Sequence, residues 1–443
     1  MSSSTQVSGT GVVAPPDSTG ISIIVVGGGF GGLSCAIECK RKGHSVVVLE
    51  RVPGLHIQGD VISFGPNAGR IIQRWGLHDK IWELCRHVDK LVLHNYLGEI
   101  VREQPLPLPL WGAWGYDGHR AEMHQVIYEY AVSLGIDVRF GYTVQEYYED
   151  DAGSKAGVRV EAKGEVVSME ADLVVAADGV KSKARKYILG YDDKPRSSGY
   201  AVYRAWFNGQ EQGVDTDPLT DYLTKGEDAF FGWIGRDVHF LASSAKGGKE
   251  ISWVITRKND FEVTDNWSFP GKMEDVLAVV DGWEPRCAAT LAKAPSCIDW
   301  KLIIHDPLPT WISKSARVVL IGDAAHPFLP TSMQGGSQAI EDGVVLAVAL
   351  QLAGKDNLPL AVQAWEKIRY LRVRESQLIG EDVRNRWHRC QPGDRGPMLD
   401  VPRPEWLFAF DAEVNAYEVF ESVARDIREN GYNRPVLPPE LAP

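Results

Sequence analysis

The sequence predicts an α/β fold carrying an inserted antiparallel sheet and carboxy-terminal helices, on three observations. Residues 21–50, "ISIIVVGGGFGGLSCAIECKRKGHSVVVLE", read as strand, glycine-rich turn, helix and second strand. Two later apolar runs, Leu173 to Ala177 and Val318 to Ile321, lead into Asp178 and into Gly322-Asp323. Between them, "GYAVYRAWF", "DAFFGWIG", "DVHFLAS" and "ISWVITRK" (199–258) are short, aromatic and β-branched, and turn-like Gly, Asp and Lys segments separate them.

The amino-terminal stretch is the most specific. Ile21 to Val26 suits a strand buried on both faces. Gly27, Gly29 and Gly32 then spell G-x-G-x-x-G ahead of a helix. In a Rossmann-like turn the first glycine permits the tight bend, the second lets backbone approach a pyrophosphate, and the third lets helix and strand pack closely. Free amides at the helix start favour phosphate. Glu50 ends the second strand, where a carboxylate can accept both ribose hydroxyls. A glycine turn without a ligand is the plain alternative, and the company of strand, helix, second strand and acid argues against it. The motif alone leaves FAD and NAD(P) open.

An Asp-Gly pair after a strand, as in "ADLVVAADGVKSKAR" (171–185), is often only a turn. In "RVVLIGDAAHPFLPTSMQGGSQAIEDG" (317–343), however, Asp323 follows a buried strand and is costly to bury without hydrogen bonds. A polyhydroxyl chain is a suitable partner. The helix predicted to begin near Gln334 directs free amides at whatever lies before Gly335 and Gly336.

Bulk properties narrow the classes. At 443 residues the chain has length for two domains, and 44% apolar with 24% charged residues is ordinary for a globular protein. A net charge of −12 argues against nucleic-acid binding. The six cysteines show no metal-ligand spacing, so buried free thiols, a reducing compartment and no metal are expected. Residues 1–19, rich in Ser, Thr, Gly and Pro, read as a flexible tail and not as a signal peptide. With no apolar run of spanning length, a cytoplasmic protein without membrane attachment is expected, as monomer or homodimer.

Gly27-x-Gly29-x-x-Gly32, Asp178-Gly179 with Ser182 and Arg185, and Gly322-Asp323-Ala-Ala-His326-Pro327 occur in that order. Together with "PNAGRIIQRWGL" (66–77) and "HRAEMHQVIYEYA" (119–131), they resemble the single-component (group A) FAD-dependent aromatic monooxygenases of the para-hydroxybenzoate and salicylate hydroxylase type, in particular fungal salicylate-hydroxylase-like enzymes. The resemblance covers roughly residues 20–375. It implies a glutathione-reductase-type FAD-binding domain (20–95, 115–195 and 296–375) and a substrate sheet (96–114 and 196–295); beyond it, helical patterns such as "WLFAFDAEVNAYEVFESVARDIREN" predict a helical region (376–443) covering that sheet. It implies that Glu50 binds the adenosine ribose with Arg51 close by, and that Ser63 contacts FAD through its backbone. Arg120 would pair with the pyrophosphate, Asp178 would serve FAD and transient NAD(P)H, Asp323 would hold the ribityl chain, and Gly335-Gly336 would lie beneath the ring. One dinucleotide fingerprint suffices, because the family has no separate nicotinamide domain.

Three residues are candidates for catalysis. Arg204 interrupts an apolar strand, either as a solvent-facing or ion-paired residue or, as in similar enzymes, to hold a substrate oxygen. Asp60 stands where the family often shows Gly-Ala-Gly-Ile, here Gly59-Asp60-Val61-Ile62, as a turn cap or as a base or acceptor for substrate. His56 aligns with a base of some pyridine-hydroxylating relatives, though a loop His is commonly just solvated. His326 is expected to hydrogen-bond within its loop, and Trp111 and Trp114 to line an apolar wall. Met333 stands where relatives commonly have the first glycine of Pro-x-x-Gly-Gln-Gly. The implied reaction uses NADPH or NADH and O2 to hydroxylate or epoxidise an electron-rich phenol or indole-type substrate through a flavin hydroperoxide. An oxidase or dehydrogenase without oxygen insertion is the alternative, and a non-enzymatic binding protein on the same scaffold a third.

Overall fold

A computed structural model describes residues 18–55, 59–150, 152–264, 266, 268–391 and 393–442. Five parallel strands form its first sheet, in the order Val318–Leu320, Leu173–Ala176, Ser22–Val26, Ser45–Glu50 and Asp137–Phe140. The central strand is buried along nearly its whole length, which is why it reads as an unbroken β-branched run. Helices Phe30–Arg41 and Gly335–Ala353 pack against each other, and a three-stranded antiparallel sheet (Tyr142–Glu149, Ala156–Ala162, Glu165–Ala171) adds Val158 and Val160 to the same core.

The second sheet has eight strands, ordered Ser268–Pro270, Ile298–Ile304, Arg196–Asn208, Glu250–Lys258, Val238–Ala245, Phe230–Gly235, Lys90–Asn95 and Ile100–Pro105. All four segments expected from the aromatic alternation are strands in it. It is mixed where an antiparallel sheet was expected: Phe230–Gly235 runs parallel to Lys90–Asn95, since the long intervening chain returns to this edge by a crossover and not by a hairpin. Lys90–Asn95 and Ile298–Ile304 lie across the boundaries expected at 95 and 296, and helix Leu358–Arg389 runs unbroken through the one at 375.

The carboxy-terminal region divides. Helix Ala412–Asn430 does not cover the eight-stranded sheet as expected; its buried Ala416, Phe420 and Ala424 join the parallel-sheet core beside the helices 335–353 and 358–389. The end of helix Leu358–Arg389 and residues 399–408 do reach the eight-stranded sheet, Val383, Trp387, Leu399 and Val401 packing with Leu91, Val101 and Phe230. All six cysteines are free, five of them buried. No single helix among the described residues is long and apolar enough to cross a membrane.

Candidate active site

Parallel strands place their carboxyl ends on one edge, so motifs some three hundred residues apart in the chain converge there. The ladder continues past the strands: Gly27 N–H donates to Leu49 O at 2.8 Å, Ala177 N–H to Val26 O at 2.8 Å, and Ile321 N–H to Ala176 O at 3.0 Å. The three glycines divide their work. Gly27 has φ +107°, and a Cβ there would lie 2.2 Å from Ala177 O; one on Gly32 would lie 1.9 Å from Gly27 O. A Cβ on Gly29 would meet nothing within 4 Å, so that position faces open space.

Glu50 is fixed beside this turn, accepting from Gly28 N–H at 2.6 Å and Val52 N–H at 3.0 Å, while Arg51 is exposed. His124, a residue the sequence reading passed over, has Nε2 2.6 Å from Gly28 O and packs edge-on to Phe30. Burial lowers its pKa, so the neutral ring donates. One signal was available: it lies one helical turn after Arg120 on helix Arg120–Ser133. Arg120 opens that helix, exposed, with no carboxylate at ion-pair distance among the described residues.

Asp178 Oδ2 accepts from Tyr147 Oη at 2.9 Å and Lys183 N–H at 3.1 Å, and its Oδ1 is buried without a partner. Arg185 is a staple between the two Asp motifs, donating to Ala324 O at 2.7 Å, Asp323 O at 2.5 Å and Val180 O at 2.9 Å. The Asp323 carboxylate is solvent-exposed although protein encloses it, the situation of a group lining an open cleft. That enclosure pushes its pKa up, against the pull of His326, Arg120 and Arg185.

Helix Gly335–Ala353 starts behind this turn. A Cβ on Gly336 would lie 2.8 Å from Phe64 Cε1, so glycine there allows the helix to seat against strand Val61–Phe64. Beneath it runs a fully buried charged layer: Arg369 donates to Asp342 Oδ1 at 2.9 Å, Glu341 Oε2 at 2.5 Å and Gln338 Oε1 at 2.7 Å. Burial pushes the Glu341 and Asp342 carboxyls up, but Arg372 and Arg369 around Glu341, and His326 and Arg369 around Asp342, hold both below the usual carboxylate range. His326 bonds Asp342 Oδ2 at 2.6 Å, across to the helix and not within its own loop as expected.

Of the candidates for catalysis, His56 lies outside the described residues. Arg204 and Asp60 prove to be partners: they form a largely buried ion pair, and the Arg204 guanidinium lies over Trp300, 4.2 Å from the ring centroid. Burial lowers the Arg204 pKa against the pull of Asp60, and its Nε has no acceptor. Arg204 is thus ion-paired, one of the alternatives the sequence left open, and its partner is the other candidate, Asp60. Ser63 and Phe64 at the end of strand Val61–Phe64, with Gly65 after them, and Ser332 and Met333 from a second segment border a cavity of about 250 Å³, whose lining includes neither Arg204 nor Asp60. Trp82, Trp114, Phe230 and Phe408 supply aromatic wall, while Trp111 is partly exposed outside it. Met333 holds φ +52°, a left-handed backbone that glycine adopts without strain.

Fold and site together define a dinucleotide-binding protein with an apolar, aromatic pocket beside the cofactor edge. Residues 20–200 match the family model described as FAD binding domain. Asperlicin C monooxygenase of Petromyces alliaceus is 38% identical over 94% of this chain and 91% of that protein. The crystal structure of CtdE in complex with FAD and a substrate is similar at 34% identity and TM-score 0.85, covering 92% of this chain and 100% of that one. A salicylate hydroxylase substrate complex, 23% identical with TM-score 0.74 over 94% and 99%, shares the fold. The chain belongs to the FAD-dependent monooxygenases.

The residues present fit FAD. The edge offers open space at Gly29, a partnerless Asp178 Oδ1, an Asp323 carboxylate facing the cleft and an unpaired Arg120, which together suit phosphates and hydroxyls.

Proposed function

We propose that this enzyme uses NAD(P)H and O2 to hydroxylate or epoxidise a flat, electron-rich aromatic, of phenol or indole type and of natural-product size. The observation that carries this reading is the cavity: its aromatic walls suit a ring system, and it opens on Ser63 and Met333, on the two loops expected at the flavin. Bound FAD supplies the redox chemistry and the reaction with oxygen.

The chain's own residues bind, orient and shield. Gly27 to Gly32 and Arg120 hold the pyrophosphate, Glu50 the adenosine ribose with Arg51 at its rim, and Asp323 the ribityl hydroxyls. Ser63 contributes backbone, the amides of Gly335 and Gly336 support the ring, and Asp178 stands where the nicotinamide cofactor would pass. Asp60 keeps the Arg204 guanidinium oriented, and the Arg204 Nε–H, buried here without an acceptor, would donate to a substrate oxygen once the side chains that enclose it part. A polarised or anionic substrate oxygen raises electron density in the ring, which favours attack by an electrophilic oxidant.

The test is turnover of the FAD-loaded enzyme with NAD(P)H under ¹⁸O2, against a panel of phenols and indoles. One labelled oxygen in the product supports the reading. Stoichiometric peroxide with no label in any product refutes it in favour of an oxidase. Arg204→Ala is expected to lose product at least tenfold with the flavin spectrum unchanged, the effect of one charge-assisted hydrogen bond.

A further inference from the structure

The cavity holds one cation that the cofactor edge does not use. Arg403 lines it from the carboxy-terminal segment, half-buried, with no hydrogen-bond acceptor or carboxylate partner among the described residues. The other guanidinium in the wall, Arg86, is already committed: it pairs with Asp117 and lies over Phe230 at 3.7 Å. A half-buried guanidinium without a protein partner, facing a cavity, is open to a ligand that accepts a hydrogen bond.

The segment carrying Arg403 is clamped at both ends. Before it, Arg102 donates to both carboxylate oxygens of Asp400 at 2.6 and 2.9 Å, and Gln104 exchanges two hydrogen bonds of 2.9 Å with the Val401 backbone. After it, Arg372 donates to Trp406 O at 3.0 Å and Leu407 O at 3.1 Å. Phe408 sits beneath the guanidinium at 6.0 Å, and its Cε1 would lie 2.7 Å from a Cβ on Gly65, two residues from Ser63. Arg403 is thus held in place over a pocket that reaches the loop expected at the flavin. Burial lowers its pKa, though not enough to discharge a guanidinium.

We propose that Arg403 is a specificity-determining residue that orients the aromatic substrate by donating to a neutral carbonyl oxygen carried outside the reacting ring. The wall sets the charge of that acceptor. Asp89, Asp117 and Glu227 outnumber Arg86 and Arg403, which disfavours a carboxylate and leaves an amide-type carbonyl as the matching partner. This deepens the reading of the cavity as the substrate site and rests on it.

Equilibrium dialysis of the oxidised FAD-loaded enzyme, without NAD(P)H, against 3-methylindole, indole-3-acetamide and indole-3-acetate tests the assignment. Because nothing turns over, failure here is separate from failure of the ¹⁸O2 experiment. The expected result is indole-3-acetamide bound roughly tenfold more tightly than 3-methylindole, a preference that Arg403→Met removes and Arg403→Lys keeps in part. The Met variant should hold FAD and 3-methylindole as the parent does. Equal affinity for amide and methyl probes in the parent, tighter binding of the carboxylate, or equal loss of all probes in Arg403→Met would each overturn it. So would absence of binding of all three at millimolar concentration.

Discussion

The two sides of the site are built in different ways. The cofactor edge is backbone: a glycine turn, strand ends and a helix start, each fixed by a few neighbouring residues. The cavity beside it is side chain, drawn from segments near residues 64, 86, 114, 230, 333 and 403. A dinucleotide's phosphates and hydroxyls are the same in every relative, so one backbone geometry with a few side chains at fixed strand and helix ends, Glu50, Arg120 and Asp323, can hold them. A substrate differs from enzyme to enzyme, and side chains on distant segments can change without disturbing the strands that carry them.

Breaking the backbone side should have the largest effect. In Gly32→Val, the Cβ would fall 1.9 Å from a carbonyl oxygen that belongs to the turn, so helix and strand must separate. Soluble, FAD-loaded protein is expected to be lost, with a penalty above about 4 kcal/mol, as for severe overpacking. A yellow, folded variant would show that the turn tolerates what its geometry excludes.

Between the two sides lies the charged layer under helix Gly335–Ala353, and removing its cation should sharpen their coupling. Arg369→Met leaves Glu341 and Asp342 buried with fewer partners, a loss of about 3–5 kcal/mol in denaturant unfolding at neutral pH. The pH dependence has a definite sign. Both carboxyls have folded pKa values below their unfolded ones, so they add stability above about pH 4, and the parent loses it as pH falls through the folded values. Without Arg369 those folded values rise, so the gap between variant and parent should narrow on acidification. A gap constant from pH 7 to pH 4 would mean that the loss comes from packing and not from charge.

Legibility followed the same division. Glu50, Asp178, Asp323 and the glycines could be read because each follows a buried apolar run, and parallel strands align such ends without further information. His124 and the staple role of Arg185 were harder to read, since both act on backbone oxygens that no motif marks. The pairing of Asp60 with Arg204 could not be read from strand alternation, which gives a face but not what stands opposite it. The carboxy-terminal helix was misplaced for a related reason. Its stripe at Ala416, Phe420 and Ala424 says that one face is buried, and not that the parallel-sheet core is what buries it.

The smallest expected effect tests the side-chain side at Met333. Its backbone at φ +52° is left-handed, where a side chain with a Cβ costs about 1–2 kcal/mol and glycine nothing. Glycine recovers that strain but gives up some conformational entropy to the unfolded chain, so Met333→Gly should raise the unfolding free energy by only about 1 kcal/mol. The same change removes a long flexible side chain from the cavity wall beside Ser332. A modestly more stable enzyme that accepts bulkier aromatics would show that the strain is retained because methionine shapes the pocket. A variant that is less stable, with unchanged substrate preference, would mean instead that Met333 is held there by its packing and takes no part in selection.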